Sequence, residues 1–249
     1  MEEYPVSDFD EFLQRYPLCF PNTQTHPAIR FRGQSDGGWE LDATLERALG
    51  SSCSVYQYYL KLIQISDEVS AHTGLNFQKS DEAYTAARSF FGNNGLGNLA
   101  VYARQHGFPS PLLDWTKSPY IAAYFAYRDR PQSENVAIYC FLEMSSESKT
   151  TRSSLPAIEE FQPRVGGVAR HYSQQVVYTY CTRRVEGIEH FVPHVFSIDG
   201  HQDKLVKFLL PSAERESVFQ KLRLMNINEF SLFGGVDSLF RHLAIRTFS

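Results

Sequence analysis

The chain has 249 residues, 43% of them apolar and 21% charged, which is enough to bury a core and is ordinary for a folded protein. A formal net charge of -4 excludes the global basic field that most nucleic-acid binders carry. Cys19, Cys53, Cys140 and Cys181 stand far apart, which excludes zinc-ligand spacing and fits the reduced thiols of a cytoplasmic protein.

The N-terminus, MEEYPVSDFDEF, is acidic and has no secretory apolar stretch. No apolar run reaches membrane-spanning length, so a soluble cytoplasmic protein without membrane association is expected. Ser7 followed by Asp10 resembles a capping box, and Phe9, Phe12, Leu13 and Tyr16 recur at helical intervals. Residues 17–27 read as a loop, and AIRFRG, 28–33, as a short strand ending on glycine. A long helix is expected over about 54–72, with Ser54 as N-cap and Gln57 at its third position. A further helix over 80–91 is stopped by GNNGLG, itself read as a loop, and another over 99–106 ends at Gly107.

LLDW, 112–115, then reads as a short buried strand. Ser118 and Pro119 read as N-cap and first position of the helix YIAAYFAYRD. VAIYCFLEM, 136–144, has the unbroken apolar run of a strand buried on both faces. A polar surface loop over 145–154 precedes strands at QQVVYTYC, 174–181, and KLVKFLL, 204–210. Pro211-Ser212 opens a helix to about residue 226, and a last short helix runs through SLFRHLAIR. Helices dominate the first half and strands the second, with no separating linker. The expectation is a single compact α+β domain with a mixed or antiparallel sheet, residues 1–27 forming an N-terminal helix and loop ahead of a main body over 28–249.

Arg32 precedes a glycine at a strand end, where close backbone approach or a positive dihedral is permitted. It can fork onto a phosphate or carboxylate, or pair with an acid of the protein itself. His106-Gly107 closes a helix, where a cationic imidazole suits the dipole and a ligand contact is the sharper alternative. Asp114, inside LLDWT, needs an arginine, a histidine or backbone donors, because an unpaired buried charge is costly. Trp115 and Thr116 fit an aromatic wall and a hydroxyl contact, or plain core. There is no G-x-S-x-G, no phosphate-binding loop, no H-E-x-x-H and no tight carboxylate grouping of the kind a metal-dependent nuclease needs. The residues by themselves lead to an α+β domain with a polar cleft.

FRGQ at 31–34 together with QHGFPSPLLDWTKSPYIAAYFA at 105–126 resembles the FRG domain family, named for its Phe-Arg-Gly motif. ARHYSQQ, 169–175, and the segment from Lys204 to Leu243 resemble the later parts of that family, so the likeness spans about Ile29 to Leu243. The family often has Thr-Arg where this chain has Ser110-Pro111, so any role of that arginine is absent here or supplied elsewhere.

A more distant resemblance is to ADP-ribosyltransferases. These use an Arg or His beside Gly, then a hydroxyl residue with aromatics ahead of a helix, then usually a Glu on a third strand. Arg32-Gly33, Trp115-Thr116 and YSQQVVYT occur in that order, with Gln174 at the glutamate position. The resemblance implies an ADP-ribosyltransferase-like core, NAD as substrate and no metal. It gives Arg32, Thr116 and Gln174 catalytic roles, with Phe31, Gly33, Gln34, His106, Gly107, Asp114, Trp115 and Tyr124 around the NAD. Glutamine cannot supply a charge or take a proton, so Asp114, Glu186 and Glu189 are the acids of interest. The implied function is a toxin or antiviral effector that transfers ADP-ribose to an RNA or protein acceptor and is held in check by a neutralising antitoxin. Arg164, Arg170, Arg183 and Arg184 would then form a basic patch for RNA. The alternative is a non-catalytic module that binds a nucleotide or partner through the same cleft.

Overall fold

In the antiparallel strands Ile29–Gln34 (β2) and Asn135–Glu143 (β5), side chains alternate between two faces, and both faces are covered. Phe31 opposes Cys140 on one side, while Arg32 opposes Tyr139 on the other. The computed structural model describes residues 1–20, 29–50, 52–77, 95–143, 156–163, 169–194 and 203–248. The remaining strands are Glu2–Pro5 (β1), Cys53–Ser54 (β3), Leu113–Thr116 (β4), Ala157–Phe161 (β6), Val176–Val185 (β7), Ile188–Phe191 (β8) and Asp203–Pro211 (β9). They form one nine-stranded sheet in the order β1-β9-β5-β2-β4-β7-β8-β3, with β6 on β7. The sheet is mixed because β1 runs parallel to β9, while the other pairs are antiparallel.

The weakest seam lies in the middle. β5 pairs with β2 along the whole of β2, and β4 pairs with β7 along the whole of β4. Yet β2 and β4 share a single bridged pair, Phe31 with Thr116. Two half-sheets, β1-β9-β5-β2 and β4-β7-β6/β8-β3, are therefore joined at one point and part beyond it.

Three apolar clusters follow from this split. The first half-sheet is covered by Phe9–Arg15 (α1), Pro119–Tyr127 (α5) and Arg215–Leu224 (α7), which bury Phe12, Ala123, Phe208 and Leu222. The second is covered by Val55–Thr73 (α3) and Gly95–Gln105 (α4), which bury Tyr58, Tyr59, Leu62, Leu99 and Ala100. The third cluster, with Trp115, Tyr139, Phe141 and Val177, fills the opposite face. Thr44–Leu49 (α2), Ala169–Ser173 (α6), Glu229–Phe233 (α8) and Gly235–Phe248 (α9) complete the fold. Among the described residues, no helix is long and apolar enough to cross a membrane.

Gly33 fixes how α5 sits on the sheet. A Cβ there would lie 1.9 Å from the Ala122 carbonyl oxygen and 2.6 Å from the Ala126 nitrogen. The glycine is needed for close approach, and what approaches is a helix backbone.

The α+β class and several local elements match expectation. Ser54 and Gln57 form a full capping box on α3. Ser118 caps α5 with Pro119 inside its first turn, and Gly107 terminates the α4 segment at φ +87°. Other elements differ. The first helix is capped by Asp8 rather than Ser7, since Asp8 accepts from the Glu11 backbone while Ser7 bonds the Glu11 carboxylate. Gly95–Gly97, read as loop, opens α4, whose apolar side is pinned by Leu96 and Leu99. β1 enters the sheet beside β9, so the N-terminal residues contribute a strand in addition to the expected helix. Expected features at 80–91 and 145–154 lie outside the described residues.

Candidate functional site

Beyond the Phe31–Thr116 bridge the parted strands open a cleft of about 750 Å³. Arg32, Gly33 and Gln34 of β2 form one wall, and Asp114 and Thr116 of β4 with Val176 and Tyr178 of β7 form the other. Arg32 spans the opening, its NH1 donating 2.7 Å to the Asp114 carbonyl. Its Nε is buried and has no acceptor among the described residues.

Asp114 obtains its partner from α4. Arg104 Nε donates to both carboxylate oxygens, at 2.8 and 3.0 Å, and its NH2 grips Oδ2 as well. The guanidinium is nearly enclosed, at 12% exposure, while the carboxylate keeps 44% of its side-chain surface open toward the cleft. Thr44 ties this pair to α2: its hydroxyl accepts from Arg104 NH1 at 3.5 Å and from the Ser110 backbone at 2.9 Å.

The electrostatics follow from burial and proximity. Burial alone would raise the Asp114 carboxyl, but Arg104, Arg32 and His171 outweigh it and hold it below the usual carboxylate range. Burial opposes the Arg104 charge too, and Asp114 more than restores it. Burial, with Arg104 and Arg47 adding, lowers Arg32 to about 10, so it remains charged at neutral pH. The cleft thus carries an ionised carboxylate between two guanidinium groups.

The rim is aromatic and mixed in charge. Trp39, 55% exposed, stands with Glu40, Asp42 and Arg47 on the side of α2. Phe125, Arg170 and Phe233 stand opposite. α8 is held there by Glu229, which accepts two hydrogen bonds from Arg128 and one from the Tyr124 hydroxyl.

Seven of the sequence candidates, Phe31, Arg32, Gly33, Gln34, Asp114, Thr116 and Gln174, converge on this cleft. Trp115 borders it, but its indole is 2% exposed and donates to Thr179 in the core between the half-sheets. Three others are not part of it. His106 and Gly107 are exposed at the end of α4, with the imidazole packed 4.5 Å from the Tyr102 ring. Tyr124 faces α7 and Glu229 below the wall, because α5 turns that side of the helix into the core.

Gln174 differs in detail from its expected setting. β7 begins at Val176, and Gln174 belongs to the turn after α6, where Gln175 adopts φ +51°. Strand alternation therefore does not orient it. Its side-chain amide donates 3.0 Å to the Leu232 carbonyl, and its main-chain carbonyl accepts from the Thr116 hydroxyl at 2.7 Å. The Thr116 hydroxyl also accepts from the Ser118 backbone, so it is occupied in knitting β4 to this turn.

Of the three acids considered, Asp114 is at the cleft. Glu186 lies in the exposed β7–β8 turn and Glu189 on β8 opposite Arg184. Arg183 and Arg184 lie at the far end of β7 from Arg170, so they form no patch with it, and Arg164 is outside the described residues.

Arg104, Trp39, Tyr178 and Phe233 were not singled out by their residue types. For Arg104 a signal exists: Asp114 demands a cation, and the helix immediately before its strand ends with one.

The fold and cleft define an α+β domain built around a polar opening in a split sheet. The model of the FRG domain family matches residues 27–135 of the chain. The matched stretch supplies the β2 and β4 walls, while Arg170, Gln174, Val176, Tyr178 and Phe233 come from later residues. No curated protein and no solved structure matches the chain.

Proposed function

We propose that the cleft takes NAD as substrate and that the protein transfers ADP-ribose from it to a macromolecular acceptor, RNA or protein. The observation that carries this reading is the convergence of β2, β4 and the turn before β7 on one cleft whose floor holds an ionised carboxylate. Cleaving the nicotinamide–ribose bond builds positive charge on the sugar, and a fixed anion at that point lowers the barrier. In this reading Asp114, rather than Gln174, supplies the charge. Arg32 and Arg104 hold it in place, and Arg32 offers its free Nε to a phosphate or amide oxygen. The aromatic rim of Trp39, Phe125 and Phe233 suits the stacking of flat rings. A toxin or antiviral role, with a neutralising partner, is the setting in which such an activity would be held in check.

A second reading is favoured by the same ion pair. Arg104 already neutralises much of the Asp114 charge, which suits binding of a nucleotide without turnover. Incubation with labelled NAD and a cell lysate separates the two. The transferase reading expects nicotinamide release and labelled acceptor. Calorimetric binding of NAD or ADP-ribose without nicotinamide release establishes the binding module in its place.

A further inference from the structure

Transfer from NAD requires the acceptor to lose a proton, and the cleft contains a group suited to take it. Tyr178 lies directly across from Asp114 in the β4–β7 pairing and, like Trp115, borders the cleft with 2% of its surface exposed. Its hydroxyl accepts from the Gln105 amide nitrogen at 3.3 Å and stands 3.2 Å from His171 Nε2. The same amide nitrogen is 2.7 Å from that Nε2. An amide nitrogen only donates, so Nε2 carries the lone pair and the ring proton resides on Nδ1. The phenol then donates by sharing the Nε2 lone pair with the Gln105 amide, at 3.2 Å against 2.7 Å, and one glutamine contacts both phenol and imidazole.

The titration behaviour agrees with that geometry. Burial lowers the His171 pKa below its ordinary 6.5, against the opposing pull of Asp114, so the ring is neutral at pH 7. Burial, with Asp114 adding, raises Tyr178, so the phenol stays protonated. It is a poor base alone and a good conduit. The groups facing His171 are Asp114 from β4, Tyr178 from β7 and Gln105 from α4, with Arg104 behind Asp114.

We propose, resting on the transferase reading of this cleft, that Tyr178 and His171 form the proton relay of the acceptor. The acceptor hydroxyl or amine gives its proton to the Tyr178 oxygen, and Tyr178 gives its own proton to His171 Nε2. The acceptor lone pair forms the bond to the ribose carbon as the bond to nicotinamide breaks, and that electron pair leaves with nicotinamide. The imidazolium left behind faces Asp114 and returns its proton to solvent. Tyr178 is the catalytic group, and His171 is a positioning residue acting through it.

The test combines turnover with a titration that does not depend on it. In wild type, nitrogen-detected NMR of His171 should show the Nδ1–H tautomer and a pKa below 6.5. Tyr178→Phe should lower kcat for transfer by about 10²-fold with KM changed by less than about threefold. His171→Gln should remove the acid limb of the kcat–pH profile, and added imidazole should restore part of the activity of His171→Ala. An Nε2–H tautomer overturns the relay whatever the turnover. So does wild-type nicotinamide release with unchanged rates and pH profiles in folded Tyr178→Phe and His171→Gln. Absence of nicotinamide release in wild type is a different failure, which removes the transferase reading and the relay with it.

Discussion

Gly33→Ala tests whether the glycine of the FRG motif serves the fold or the ligand. The added methyl would lie 1.9 Å from the Ala122 carbonyl oxygen, where an ordinary C···O contact is about 3.3 Å. The obstacle is backbone, so no rotamer change relieves it. α5 would have to retreat by more than about 1 Å, and its face toward the sheet is packed with Ile121, Ala122, Ala123, Ala126 and Tyr127, none more than 3% exposed. Overpacking commonly costs ~1–3 kcal/mol, and a rigid obstacle places this variant at or beyond the upper end. With a urea m-value near ~3 kcal/mol/M, the unfolding midpoint should fall by about 1 M. Gly107→Ala is a useful contrast: its methyl meets open space, and only its φ of +87° resists substitution, so a loss of ~1 kcal/mol is expected. A Gly33→Ala midpoint within about 0.2 M of wild type, read with an unchanged m-value, would refute the packing argument.

Arg104→Leu should destabilise by ~2 kcal/mol, below the ~3–5 kcal/mol of a fully buried broken pair, because Asp114 retains 44% side-chain exposure. The double variant with Asp114→Leu should lose less than the sum of the singles in urea melts, and strict additivity would argue against a coupled pair. Burial raises Glu46 to about 7 from 4.5, so the folded protein binds that proton more tightly. The contribution of Glu46 to stability should therefore be full below about 4.5 and be lost as pH rises through about 7, and Glu46→Gln should remove that part of the pH dependence. Gln174→Glu replaces an amide that donates to the Leu232 carbonyl with a carboxylate that cannot. It should lower the melting temperature without raising NAD hydrolysis, and a gain in nicotinamide release would restore Gln174 to the catalytic position.

What was legible in the sequence was local. Ser54 with Gln57 and Ser118 with Pro119 are short-range patterns, and each capped its helix as read. The unbroken apolar run of β5 announced burial on both faces. Arg32, Asp114 and Thr116 were identifiable because polar groups within apolar strands need a reason. The setting of Gln174 was hidden, since strand alternation applies only where the strand begins, and a left-handed Gln175 delays β7 to Val176. His106 misled because a histidine beside a helix-ending glycine looks the same facing a cleft or solvent. Trp39 and Phe233 reach the rim through loop and C-terminal geometry, which periodicity does not encode.

The split seam explains how so much charge persists near a core. Three guanidinium groups have carboxylate partners, the enclosed Arg30 with Glu160 and Arg104 with Asp114, and the half-buried Arg128 with the buried Glu229. Each partner comes from another element, so the pairs also tie half-sheets and helices together. Arg32 is arranged differently. Its NH1 bonds a main-chain carbonyl across the gap, and its Nε is left without an acceptor among the described residues. An unsatisfied buried donor costs about 1–3 kcal/mol, and main-chain pairing of the sheet does not supply its acceptor. Gly33 lets α5 settle onto the face of β2 next to the place where the seam parts. The motif's glycine thus keeps the helix close and its arginine keeps the gap polar, and together they hold open a site whose unsatisfied donor a ligand oxygen would complete.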